Sequence, residues 1–158
     1  MDEMRPAHLH RLIHVWVKNP VYFLTTCVQG RVPLLADQTA HNILREEWRE
    51  AEVRHDWRIG RYVVMPDHVH FFCVPGPMAK PLAVFIRHWK EWTAKRILKA
   101  TGRPAPLWQP RFFDHVLRSR DSYGEKWSYV ANNPVRASLA VTPQDWPFAG
   151  HIHFDSPP

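Results

Sequence analysis

No stretch of these 158 residues is long and apolar enough to cross a bilayer, since a spanning helix needs about 20 consecutive apolar residues. The opening residues, Met1-Asp2-Glu3-Met4-Arg5-Pro6, lack the basic start and apolar core of a secretory signal. Cysteine is scarce. Cys27 and Cys73 each sit in a strand-like run, and no Cys-x-x-Cys pair occurs. That usage excludes a disulfide framework and fits reduced, buried thiols in a cytosolic protein. Acidic residues are in deficit, with 15 Asp and Glu against 21 Lys and Arg, a formal charge of +6 and a pI near 9.7. A basic chain of this size points to a polyanionic partner, nucleic acid before an anionic membrane. No internal repeat or low-complexity block is present.

What is present fits one domain with a real core. Eight tryptophans and eight phenylalanines are enough both to fill it and to leave stacking platforms. Residues 1–20 are polar and basic and read as an arm; residues 21–140 carry the fold; residues 141–158, with Pro143, Pro147, Pro157 and Pro158, read as a tail. Val21 to Val28 is β-branched and aromatic, a first strand. Asp37 is placed to cap a helix running to about Arg54, with Ile43, Leu44, Trp48 and Ala51 at helical spacing. Trp57 to Met65 and His68 to Val74 are strands joined by Met65-Pro66-Asp67, too short a link for anything but an antiparallel hairpin. Pro81 to Lys99 is a second helix and Phe112 to Leu117 a fourth strand. A third helix starts near Asp121 or Ser122 and should end where Pro134 stops it. The order β-α-β-β-α-β-α predicts an α+β, ferredoxin-like, mostly antiparallel sheet with helices on one face and strands one and three central.

Two short patterns carry candidate chemistry. In His68-Val69-His70, residues two apart on a strand point the same way. Two imidazoles then stand side by side on a greasy element, either hydrogen-bonded to a polar sheet face or ligating a divalent metal. In Ser128-Tyr129-Val130-Ala131-Asn132-Asn133-Pro134, Tyr129 and Asn133 are four apart and share a helix face. That pattern is either a helix end with its stop signal or a phenol beside an amide oxygen. A free phenol ionises only near pH 10, but a metal and a basic surface make its phenolate accessible, and Asn133 can offer a carbonyl oxygen to the same metal. Tyr123, at the start of that helix, is a competing phenol without an amide four residues on.

Together the two patterns resemble the HUH endonucleases, and within them the single-tyrosine, REP-associated tyrosine transposases of bacteria. The matching stretches are Tyr22-Phe23-Leu24-Thr25-Thr26, Val64-Met65-Pro66-Asp67-His68-Val69-His70, the Trp89-Lys90 helix, Leu107-Trp108-Gln109, Phe113-Asp114-His115-Val116-Leu117-Arg118 and Tyr129 through Ala137, spanning roughly residues 20–147. The tyrosine follows the histidine pair, whereas in relaxases it precedes it. Asn132 stands where replication initiators typically carry a lysine. The resemblance implies that His68, His70 and Asn133 hold one Mg²⁺ or Mn²⁺ ion. It implies that Tyr129 attacks a phosphate of single-stranded DNA to give a 5′-phosphotyrosine link and a free 3′-OH that can later rejoin. It further implies hairpin DNA of the REP type as substrate, a monomer, no nucleotide cofactor and no membrane, in the cytoplasm near the bacterial nucleoid.

Between residues 80 and 103 seven positive charges face the single acid Glu91. Arg87, Lys90 and Lys95 therefore read as phosphate contacts, and Arg111 and Arg118 as an extension toward Tyr129. Trp108, in a Pro-rich loop, reads as either a base-stacking platform or a core residue. Two other functions fit parts of the chain: a non-catalytic nucleic-acid-binding module, and a metallohydrolase of small phosphate esters in which Tyr129 is dispensable.

Overall fold

The computed structural model describes residues 20–157. Five strands form one antiparallel sheet: β1 (Val21–Cys27), β2 (Trp57–Val64), β3 (His68–Pro75), β4 (Phe113–Leu117) and β5 (Ala149–His151). Their spatial order is β4-β1-β3-β2-β5, which puts β3 at the centre. The helices are α1 (Gln38–His55), α2 (Leu82–Thr101), α3 (Arg120–Ala131) and the single turn α4 (Asn133–Arg136). The β2–β3 hairpin forms as the short link requires, with Met65 N–H donating to the His68 carbonyl at 2.8 Å.

Alternation along β3 divides its side chains. Val69, Phe71 and Cys73 enter one core; Phe72 and Val74 enter another on the opposite face. His68 and His70 share the parity of Phe72 and therefore that second face. The first core is closed by α1 and α2, with the Trp48 and Trp89 rings stacked at 5.5 Å. α1 starts where Asp37 accepts a hydrogen bond from Ala40 N–H at 2.7 Å, satisfying a donor the helix leaves orphaned. It stops at Asp56, which takes a left-handed conformation that Asp tolerates better than most residues.

Three features depart from the sequence expectation. First, the helices are not all on one face: Tyr123 and Val130 of α3 pack into the second core with Phe23, Val63 and Phe72. Second, Pro134 does not end the helical run. It sits in the first turn of α4, where its missing N–H costs nothing. Third, residues 141–157, read as a tail, are part of the fold. They return to pair β5 with β2, with Arg61 opposite His151 and Val63 opposite Ala149. Phe154 is buried in the second core, and Trp146 Nε1 donates to the Val64 carbonyl at 3.0 Å. Gly60 makes the docking possible, since a Cβ there would lie 2.5 Å from the Phe154 ring. The expected basic arm lies almost wholly in residues 1–19, outside the described residues.

Candidate nuclease site

The histidines are held by their Nδ1 atoms. His70 Nδ1 lies 2.7 Å from Thr25 Oγ1, its cross-strand neighbour on β1. His68 Nδ1 lies 2.7 Å from Asp67 Oδ1, and Asp67 Oδ2 accepts from Arg31 Nε at 2.8 Å. Arg31 also donates to Cys27 Sγ at 3.1 Å. The two imidazole rings meet edge to face at 4.8 Å. Among the described residues neither Nε2 makes a hydrogen bond.

Burial and charge together fix the protonation of His70 and Asp67. Burial, then the neighbouring His68 and the positive charges of Lys126, Arg136 and Arg31, push His70 down to about 3, so its ring is neutral at physiological pH. Burial pushes the Asp67 carboxyl up, but hydrogen bonds from His68 and Arg31 more than offset it and leave it below the usual carboxylate range. Asp67 is thus an ionised acceptor that orients His68.

α3 lies over the same face. Its N-cap is Ser119, whose hydroxyl accepts from Ser122 N–H at 3.1 Å. Lys126 sits 4.7 Å from the centre of the Phe23 ring, and Phe23 stacks on His70 at 5.3 Å. Tyr129 follows one turn later and is 64% exposed. The Arg136 guanidinium lies over its ring at 3.9 Å and donates to Asn133 Oδ1 at 3.3 Å. One guanidinium therefore touches both Tyr129 and Asn133 while its charge reaches His70. Tyr123 differs in every respect. It is 5% exposed, donates its hydroxyl to the Asp155 carbonyl at 2.8 Å, and is pushed up to about 12 by burial.

The donor set suits a hard or borderline divalent ion. Two imidazoles with fixed Nδ1 partners and open Nε2 atoms are the arrangement metal-binding histidines favour. Among the described residues no three His, Cys, Asp or Glu side chains cluster to hold a metal. Asn133, the expected third ligand, has its Oδ1 accepting from Arg136. Oxygen donors beside imidazole fit Mn²⁺ or Mg²⁺.

The residues expected to meet DNA are dispersed. α2 packs on the helix-covered face, so Arg87 and Lys95 lie across the sheet from the histidines. Lys90 is not a free cation: its Nζ donates to the Gln109 and Arg111 carbonyls at 2.8 and 2.9 Å, and burial lowers it to about 8. Trp108 is a core residue rather than a platform. It is 6% exposed, packs 5.3 Å from Trp89 and donates to Thr93 Oγ1 at 2.9 Å. Arg111 and Arg118 are exposed at the two ends of β4. The sequence reading overlooked Lys126 and Arg136, each three residues from a candidate on the same helical run. It also passed over Phe113, which is 58% exposed and stands across from Thr25 on the histidine face.

The chain as a whole is similar to known proteins. The family described as transposase IS200 like matches residues 16–133. The chain belongs to the IS200-like transposase family. It is 28% identical over 134 residues to the REP-associated tyrosine transposase of Escherichia coli K12, covering 85% of this chain and 78% of that one. A solved structure of a REP-associated tyrosine transposase bound to a REP hairpin superposes with a TM-score of 0.71 at 26% identity, covering 94% of this chain and 82% of that one. A crystal structure from Deinococcus radiodurans shares the fold, with a TM-score of 0.55 at 20% identity over 84% of this chain and 97% of that one. Membership of this transposase family makes the chain an enzyme of the transposase and endonuclease kind. Among the described residues no helix is long and apolar enough to cross a membrane.

Proposed function

We propose that this protein is a metal-dependent endonuclease and strand transferase that cuts single-stranded DNA at or near a palindromic hairpin through a 5′-phosphotyrosine link. The observation that carries this reading is the face shared by two imidazoles with open Nε2 atoms and the helix bearing an exposed phenol beneath a guanidinium. Hairpin DNA enters through the solved relative, which was captured on a REP hairpin. The net charge of +6 agrees with a nucleic-acid partner.

Each residue has a task. Thr25 and Asp67 hold the Nδ1 sides of His70 and His68, which keeps both Nε2 lone pairs pointed outward. His68, His70 and Asn133 would hold the ion, which supplies Lewis-acid charge to a phosphate oxygen. Lys126 and Arg136 add fixed positive charge where the anionic backbone must lie. Arg136 also restrains the Tyr129 ring, limiting the directions its hydroxyl can take. Tyr129 Oη attacks phosphorus, its proton leaves to solvent, and the bond to the 3′ oxygen breaks. That oxygen takes up a proton and departs as a 3′-OH. One ester replaces another, so the link stays reversible and a 3′-OH can rejoin the strand without a nucleotide cofactor.

The test is incubation with labelled single-stranded hairpins and Mn²⁺, followed by a denaturing gel. The wild-type chain should form a covalent protein–DNA adduct. Tyr129→Phe should form none while still binding the hairpin, and adducts at wild-type level in that variant would sink the nucleophile assignment. Binding without cleavage in either Mg²⁺ or Mn²⁺ would make the chain a DNA-binding module instead.

A further inference from the structure

We propose that a cleft at the β4 edge of the sheet, on the side away from the histidines, binds a guanine base of the single-stranded DNA. The proposal rests on the DNA-cleaving function above and adds a specificity to it. The cleft has a volume of about 330 Å³ and lies between β1, β4 and the first turn of α2. That is within the range of about 300–1,000 Å³ typical of ligand sites. Its floor is Tyr22 and Trp57, set edge to face at 5.3 Å, and Phe112 forms a wall. Lys80 and Asp114 supply one positive and one negative group.

The lining selects the ligand. Tyr22 and Trp57 are buried beneath the cleft, and Phe112, the partly exposed ring of its wall, offers the surface on which a base can stack whatever its identity. Asp114 then discriminates. Among the described residues its carboxylate makes no hydrogen bond or ion pair, and an ionised carboxylate can only accept. Guanine is the base whose pairing edge offers two adjacent donors, N1–H and the N2 amino group. Adenine and cytosine each set an acceptor nitrogen beside their amino group, and thymine flanks its one N–H with two carbonyls. A carboxylate meets guanine with two hydrogen bonds and repels part of each of the others. Lys80 is placed to take the attached phosphate.

Position supports the same occupant. β4 is an outer strand, so a DNA strand can pass around it. Successive residues point to opposite faces, so Asp114 opens into the cleft while the exposed Phe113 lies on the histidine face. Asp114 pairs with Leu24 of the helix-side core, and Phe113 with Thr25, the partner of His70. A strand crossing this edge therefore meets the cleft and the nuclease face in turn.

The experiment measures binding of the full chain, at fixed salt and without metal, to labelled short oligothymidylates carrying one central guanine, inosine or 7-deazaguanine. Inosine lacks the N2 amino group and should bind roughly tenfold more weakly than guanine, within the range for loss of a good base contact. 7-Deazaguanine keeps both donors and should bind like guanine. Asp114→Asn should bind guanine and inosine oligomers alike, with an unchanged melting temperature as the folding control. Equal wild-type affinity for guanine and inosine overturns the proposal, as does discrimination that survives Asp114→Asn; in either case the DNA-cleaving function stands if adducts still form. Failure to bind any hairpin or oligomer overturns that function, and the cleft assignment with it.

Discussion

The two faces of the sheet are made from the same strands and do opposite things. The helix-covered face is sealed by eight buried residues of α1 and five of α2, whereas α3 buries only Tyr123 and Val130 on the other. Histidine occurs on both. On the sealed side His41 bonds Tyr62 Oη at 2.8 Å through Nε2, and its Nδ1 is buried without a partner. On the open side His68 and His70 are held by Nδ1, with Nε2 left outward. The same side chain is packing material in one place and a candidate ligand in the other. Which nitrogen is tied down, and what surrounds it, makes the difference.

Truncating the sealed side should cost the most stability. Trp48→Ala removes a fully buried ring stacked on Trp89 and should destabilise the protein by about 3–5 kcal/mol, read from denaturant midpoints. Tyr129→Phe should shift the same midpoint by less than about 0.5 kcal/mol while eliminating adducts. A Tyr129 variant that unfolds as readily as Trp48→Ala would erase the distinction between the faces.

Acid should separate the faces next. Burial and then the charge of Arg45 lower His41 to about 4 from an ordinary value of 6.5. The unfolded chain then binds the proton first as pH falls. The stability contributed by neutral His41 is present above about pH 6.5 and is lost as pH drops toward 4. Unfolding midpoints measured from pH 7 to pH 4 should fall, and the His41→Gln variant should fall less steeply. An unchanged slope in the variant would remove His41 as the cause.

Smaller effects sharpen the open side. Asp67→Ala frees His68 Nδ1 without touching the sealed core and should weaken Mn²⁺ affinity about 10–100-fold, measured by calorimetry. Affinity equal to wild type would show that the Arg31–Asp67–His68 chain does not orient a ligand. Least of all, Arg118→Ala should reduce the slope of log affinity against log salt by about 1. Trp108→Phe should leave that slope unchanged, because Trp108 is buried and carries no charge to release.

The legible parts of the molecule were those written in local period. Alternation along β3 placed His68 and His70 on one face, and Tyr129 and Asn133, four residues apart, share the Arg136 guanidinium as a partner. Contacts made across turns were not legible. Thr25 reaches His70 through strand pairing, and Arg31 reaches Asp67 from a different loop. Lys126 and Arg136 could have been found, since each lies three residues from Tyr129 or Asn133. Trp108 was ambiguous because Pro104, Pro106 and Pro110 suggest a surface loop, while Trp89 and Thr93, which hold the ring, lie on α2. The C-terminal segment misled in the same way. Its prolines suggest a loose end, yet Trp146, Phe148 and Phe154 anchor it, and so many aromatics in so short a stretch were the sign.

Strand β5 has a further effect through its brevity. It covers the flank of the eight-residue β2 with three residues of its own, and the opposite border is β4 with five. The sheet thus ends on both sides in strands too short to offer another chain a long row of open backbone groups. Copies of this protein, brought close together, are given little to zip together.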